Sequence, residues 1–200
     1  MSLELTFRQW LEQQEEDLSP AIQRNEEEIP WSDWSSWDEH FDLFAYDDMI
    51  SPDARVLPHR FTPARARGFI RVFDVPSPKG DHAKLSMRHT GRPEDAVNGG
   101  VTHVPSDEIQ NVARKYPGYS LGKVDVVWID DQTGMPLKKK EEVYYLFHPS
   151  RATKKLMPHK DYRRAILRSA YDISPSFGEE FVDTTFRLPK RGNRLVKITR

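Results

Sequence analysis

The segment from residue 124 to residue 147 constrains the fold most, because it reads as two strands joined by a short loop. Residues 124–129 and 142–147 are dominated by β-branched and aromatic side chains, and the loop that follows Ile129 contains Asp130, Asp131 and Gly134. Two such runs separated by turn-forming residues are typical of an antiparallel β-hairpin. The chain is therefore expected to contain a sheet.

Further strands are expected on either side of this hairpin. Residues 68–75 are rich in β-branched and aromatic side chains and predict a strand, and in residues 83–88 apolar and polar side chains alternate, which indicates a half-buried strand. Asn98, Gly99 and Gly100 predict a turn. Two late strands are expected at 181–188 and 195–198.

Helical patterns complete the fold class. Apolar residues at spacings of three and four predict helices over 6–27 and 159–171, and a capped helix is expected to begin at Ser106 and end near Lys115. Runs of strands and helices that do not alternate regularly indicate an α+β fold. We predict a mostly antiparallel sheet with packed helices and a helical acidic N-terminal segment.

The charge is unevenly distributed along the 200 residues. The net charge is −1, but residues 1–54 hold 15 acidic and 2 basic side chains, so the rest of the chain is strongly basic. This division predicts two parts, an acidic Trp-rich helical segment (1–54) and a basic α+β body (55–200). Attraction between the two parts in the folded chain explains the asymmetry equally well.

Aromatic residues recur at a spacing of about three in the acidic segment. Trp31, Trp34, Trp37 and Phe41 would share one face of a helix. Such a helix can lie on the core by its aromatic face, or it can dock into a groove on a partner protein. A third reading is an acidic mimic of nucleic acid that covers the basic surface. The four aromatic residues are the candidates for partner binding or self-association.

Basic side chains are concentrated in the last quarter of the chain, where residues 151–200 hold 13 basic and 5 acidic side chains. Basic clusters on a helix face and a neighbouring loop suit contacts with phosphate groups. The candidate residues for nucleic-acid binding are Lys160, Arg163, Arg164, Arg168, Lys190, Arg191 and Arg194.

Motifs for catalysis are scarce. The sequence contains no glycine-rich phosphate loop, no pair of histidines at ligand spacing and no cysteine, so we expect no cofactor and no metal. Asp125 and Glu142 on the two strands of the hairpin resemble the acidic pair of the restriction-endonuclease-like, PD-(D/E)xK group, which implies a Mg²⁺-dependent nuclease. That group has Glu-x-Lys in its second strand, whereas Glu142 is followed by Val143 and Tyr144.

These observations favour a non-enzymatic nucleic-acid-associated or regulatory binding protein with an acidic aromatic interaction arm. The alternatives are a protein-interaction or assembly component, such as an adaptor, an inhibitor or a viral structural protein, and the metal-dependent nuclease. The sequence shows neither a signal peptide nor an apolar run long enough to cross a membrane, so a cytoplasmic setting without membrane contact is expected.

Overall fold

The computed structural model describes residues 28–51, 61–130, 135–149, 156–188 and 195–198. The predicted helix over 6–27 and the predicted boundary at residue 54 lie outside these ranges. In chain order, the elements are α1 (Trp31–Trp34), β1 (Phe41–Ala45), a 3-10 helix (Asp48–Ile50), β2 (Thr62–Arg67), β3 (Phe69–Pro76), β4 (Ala83–His89), β5 (Ala96–Val104), α2 (Ile109–Lys115), β6 (Ser120–Ile129), β7 (Pro136–Phe147), α3 (Lys160–Ile173), α4 (Pro175–Asp183), β8 (Thr185–Arg187) and β9 (Val196–Lys197).

Five strands form a closed barrel in the order β1-β5-β2-β6-β7. The predicted hairpin is confirmed as β6 and β7, which pair antiparallel with Val124 opposite Val143. The ring closes where β1 runs parallel to β7 at Leu43 and Tyr144. Closure leaves no free edge among these strands, because β6 pairs with β2 and β7 pairs with β1 on the outer sides of the hairpin.

The turn expected at 98–100 is wrong, because these residues lie in the middle of β5. A Cβ at Gly99 would lie 2.7 Å from Cζ of Phe44 and nearer still to the carbonyl oxygen of Ala45. A Cβ at Gly100 would lie 2.8 Å from Cβ of Phe61. The glycines are therefore needed for the close approach of neighbouring groups to the strand rather than for a reversal of the chain.

A second sheet has the order β4-β3-β8-β9, in which β3 and β8 are parallel and the other two pairs are antiparallel. The strand expected at 181–188 is shorter than predicted, because its first residues belong to α4. Ser174 caps that helix by accepting a hydrogen bond from the backbone N–H of Phe177, and Pro175 follows at its first position. Two antiparallel-rich sheets with packed helices confirm the predicted α+β class.

The aromatic stretch is a helix only as far as Trp34, and the continuous helix expected beyond it is wrong. From Phe41 onward the chain is β1, which sends alternate side chains into two apolar clusters: Phe41, Leu43 and Ala45 into one, and Phe44 into the other. Burial on both faces hides the period of two that would have marked a strand. Trp34 and Phe41 are buried, with 0% and 4% of their surfaces exposed, so both belong to the core.

Within the ranges given above, no helix combines the length and the apolar character needed to span a membrane.

Candidate active site

A buried carboxyl group lies where the first barrel strand ends. Asp47 follows β1 and starts the 3-10 helix, and its Oδ1 accepts a hydrogen bond of 3.0 Å from the backbone N–H of Met49. Aspartate is favoured at this position because it satisfies a backbone N–H at the start of a helix. Met49 and Ile50 then enter the core, and only 3% of the Asp47 surface remains exposed.

Burial changes the acidity of this carboxyl group. Loss of hydration, followed by the negative charge of Asp48, raises the pKa of Asp47 from 3.8 to about 7. The backbone N–H of Met49 and the ammonium of Lys84 act in the opposite direction. A carboxyl group with a pKa near 7 exchanges a proton readily at neutral pH, which ordinary aspartates do not do.

Asp48 occupies a different environment from its neighbour. Its Oδ1 accepts a hydrogen bond of 3.2 Å from the hydroxyl of Tyr116, and its Oδ2 lies 3.5 Å from Nζ of Lys84. Part of the Asp48 side chain, 15%, is exposed. Two adjacent carboxyl groups are thus placed differently, one buried beside a backbone N–H and one beside an ammonium and a phenol.

Phenols surround the two carboxyl groups. Burial is the main cause that raises the pKa of Tyr116, Tyr119 and Tyr162, and the charges of Asp47 and Asp48 raise it further. These hydroxyl groups therefore stay protonated at neutral pH; that of Tyr116 donates to Asp48, and that of Tyr162 accepts a hydrogen bond from the backbone N–H of Leu85.

A buried arginine fixes the backbone next to the site. Arg71 of β3 is fully buried, and its guanidinium donates to the carbonyl oxygen of Tyr46 at 2.8 Å and to that of Asn98. It also lies 3.6 Å from the centroid of the Phe181 ring. Burial lowers the pKa of Arg71 to about 9. Because Tyr46 precedes Asp47, this arginine holds the end of β1 against the second sheet.

The arrangement suits proton transfer. A buried carboxyl group with a raised pKa is a common basis for acid–base catalysis. Here Asp47 can take up or release a proton, and Asp48 with Lys84 supplies a fixed charge pair. A ligand would approach from the side of Asp48 and Lys84, since these two side chains reach solvent whereas Asp47 is buried.

Sequence reasoning missed this site, because both aspartates were counted as part of an acidic segment. The available signal was the position of Asp47 and Asp48 directly after the apolar run 43–46, where two adjacent acids would be drawn into the core. The partners Lys84, Tyr116 and Tyr162 are far away in sequence and show no motif.

The predicted basic residues that the structure describes lie on α3, the helix that also carries Tyr162. Lys160, Arg163, Arg164 and Arg168 lie on α3, where Arg164 and Arg168 are 3.8 Å and 3.9 Å from carboxylate oxygens of Asp161 and Asp172 on the same helix. Such pairs at helical spacing balance much of the charge of that face. The other predicted residues, Lys190, Arg191 and Arg194, lie outside the described residues.

Two of the predicted partner-binding tryptophans make hydrogen bonds within the chain. Nε1 of Trp31 donates to the carbonyl oxygen of Ala113, and Nε1 of Trp34 donates to that of Tyr119. Trp31 keeps 37% of its surface exposed. Trp37 packs edge to face on Phe41, with 5.6 Å between the ring centroids. A role of these residues in partner binding or self-association stays a prediction.

The acidic pair of the hairpin is brought together on the outside of the barrel. Asp125 lies directly opposite Glu142 in the β6–β7 register, and both side chains are exposed. Glu142 also forms an ion pair of 3.5 Å with Lys123. The part of the chain that the structure describes contains no group of three or more histidine, aspartate or glutamate residues placed to hold a metal ion.

Several solved structures have a similar fold. A structure named Gamma-glutamyl cyclotransferase is similar, with a TM-score of 0.57 and 18% sequence identity over 72% of this chain and 86% of that one. The uncharacterized human protein loc79017 is similar with a TM-score of 0.55 and 18% identity, over 72% of this chain and 86% of the human one. YkqA from Bacillus subtilis is similar with a TM-score of 0.52 and 17% identity, over 79% of this chain and 54% of YkqA.

No protein-family model matches the sequence, and no curated protein matches it significantly. At these identities the likeness concerns the fold, which is that of the Gamma-glutamyl cyclotransferase structure.

This likeness corrects the functional prediction. A non-enzymatic, regulatory nucleic-acid-binding protein is contradicted, because the structure with the same fold is named as an enzyme. The two alternatives, an assembly component and a restriction-endonuclease-like nuclease, do not match the neighbours either. The basic clusters misled the prediction because charge excess on a surface does not identify a ligand.

Proposed function

We propose that this protein is an enzyme that cyclises a γ-glutamyl amide and uses Asp47 as the group that transfers protons. The observation that carries the proposal is the buried carboxyl group of Asp47, whose pKa of about 7 suits acid–base chemistry at neutral pH. The fold shared with a structure named Gamma-glutamyl cyclotransferase supports the choice of reaction.

The chemistry of such a cyclisation requires one proton acceptor and one proton donor. The amine of the glutamyl unit attacks its own side-chain carbonyl carbon, so that a new C–N bond closes a five-membered lactam. The original amide C–N bond then breaks, and the second product leaves as an amine. The attacking nitrogen must lose a proton and the leaving nitrogen must gain one. A single carboxyl group with a pKa near neutrality can do both in turn.

The groups around Asp47 fit this role. The carboxylate of Asp48 and the ammonium of Lys84 form a charge pair of 3.5 Å at the partly exposed side of the site. A substrate with a charged amine would meet the negative member of this pair next to Asp47, and this ammonium must give up one proton to solvent or to a carboxylate before its nitrogen can attack. Burial removes competing water from Asp47, which strengthens each electrostatic interaction there. The cytoplasmic setting expected from the sequence stays part of this proposal.

The test is an assay of the full chain with two isomeric dipeptides. One carries a γ-glutamyl linkage and the other the α-linkage, and release of the second amino acid with the lactam is followed by mass spectrometry. We expect release from the γ-isomer alone. Asp47→Asn should lower the rate by about 10²- to 10⁴-fold, the usual contribution of a general acid–base group.

Asparagine keeps the oxygen that caps the 3-10 helix, so the variant tests the proton and not the fold. The matched control is Asp42→Asn, which changes the same atoms on a partly exposed side chain of β1. If the wild-type chain releases no amine from the γ-isomer, or if Asp47→Asn is as active as Asp42→Asn, the proposal is wrong.

A further inference from the structure

Lys84 lies at the centre of the charged part of the site. It belongs to β4, and its Nζ is 3.5 Å from Oδ2 of Asp48. The same nitrogen lies 5.7 Å and 5.9 Å from the ring centroids of Tyr116 and Tyr162, within the range of cation–π attraction. Only 21% of the Lys84 side chain is exposed, so its charge is held inside the structure.

The Lys84 ammonium pairs with a single carboxylate among the described residues. Within the described parts of the chain, Asp48 is the one carboxylate at ion-pair distance from Lys84. The second cation near the pair, Arg71, is engaged by backbone carbonyls and by the hydroxyls of Thr184 and Thr185. Lys84 is therefore the cation that pairs with Asp48, and its charge also acts on Asp47.

Several titratable groups interact electrostatically with Asp47. They include Tyr46, Asp48, Arg71, Lys84, Tyr116, Tyr119 and Tyr162. The four phenols are neutral at working pH, because burial raises the pKa of each. The balance of charge around Asp47 is thus set by Asp48 on one side and by the cations on the other.

We propose that Lys84 is a positioning residue, whose ammonium holds the Asp48 carboxylate beside Asp47 and opposes the negative charge that Asp48 brings to the pair. Lys84 would thereby set the pH range in which Asp47 exchanges its proton. Its catalytic relevance rests on the proposed function, in which Asp47 transfers the proton. The signs of the two charges support this role, since the ammonium of Lys84 lowers the pKa of Asp47 and the carboxylate of Asp48 raises it.

The experiment measures the titration of Asp47 itself, so it does not depend on turnover. The full chain, labelled with ¹³C at aspartate carboxyl groups, is titrated by NMR, and the Asp47 signal is assigned by its absence in Asp47→Asn. In Lys84→Met we expect the midpoint of Asp47 to rise by about 1 pH unit, the usual effect of removing a nearby opposite charge. Lys84→Arg keeps the charge and should keep the wild-type midpoint.

Lys123 offers a closely matched control. It lies on a strand, its Nζ is 3.5 Å from a carboxylate oxygen of Glu142, and the same nitrogen is 5.9 Å from the centroid of the Tyr144 ring. Lys123→Met therefore removes a similar set of contacts at another place, and it should leave the Asp47 midpoint unchanged. If Lys84→Met does not fold, as judged by circular dichroism, Lys84→Gln replaces it.

The outcomes separate the two proposals. An unchanged Asp47 midpoint in the neutral Lys84 variant overturns the role of Lys84, as does an equal rise in Lys84→Arg, since size and not charge would then be the cause. A raised midpoint supports it. If the midpoint rises but the γ-glutamyl dipeptide is not turned over by the wild type, the charge role of Lys84 stands and the proposed reaction fails.

Discussion

The substitution Asp47→Asn should stabilise the protein at neutral and alkaline pH. Asp47 has a pKa of about 7 in the folded chain instead of 3.8. The folded state therefore holds a proton more tightly than the unfolded state between these values. The stabilising effect of that proton is complete below pH 3.8 and is lost as the pH rises through 7. A difference of roughly three pH units corresponds to about 4 kcal/mol, at about 1.4 kcal/mol per unit.

Asparagine is neutral throughout, and it keeps the hydrogen bond from the backbone N–H of Met49. We expect the variant to gain up to about 4 kcal/mol over the wild type above pH 8, with the gain shrinking steadily towards pH 5. Urea unfolding at intervals between pH 5 and pH 9 measures it, provided that the slope against urea stays constant. A difference between variant and wild type that does not change with pH would refute the raised pKa of Asp47, and with it the acid–base role.

Two further substitutions test how the surroundings hold the site. Arg71→Met removes a buried guanidinium that binds the carbonyl oxygens of Tyr46 and Asn98, so it should destabilise the fold by about 3 kcal/mol or more in thermal unfolding, whereas Arg92→Ala, at an exposed pair, should cost under about 1 kcal/mol. Gly99→Ala places a methyl group against neighbouring barrel strand β1 and should cost about 1–3 kcal/mol in urea unfolding; an unchanged midpoint would contradict the close packing there.

Stability and the proposed activity conflict at Asp47. A buried carboxyl group that ionises near pH 7 weakens the folded state in the pH range where it would act as an acid or base. The surroundings limit this cost through the backbone N–H of Met49 and the ammonium of Lys84, both of which favour the ionised form. A retained cost of this kind is more common at functional sites than in the core, which is a reason to regard Asp47 as functional.

The local part of the fold was readable from the sequence. The strands β3 and β4 and the helix α3 were predicted close to their observed bounds. The β6–β7 hairpin was predicted in its place, but its strands begin four and six residues earlier than predicted. Where burial is on both faces, as in β1, the period disappears. Where glycine serves close packing, as at Gly99, the same residue type predicted a turn that is absent.

The site was decided by tertiary structure. Asp47 and Asp48 are adjacent in sequence, but the groups that set their properties, such as Lys84, Tyr116 and Tyr162, come from three distant elements that meet only when the barrel and the second sheet pack together. The sequence shows that two acidic residues follow an apolar run. It does not show which of the many acidic side chains is buried away from solvent in the folded chain. Desolvation depends on neighbours in space, and for that reason charge counts pointed to the exposed basic helix instead of the buried carboxyl group.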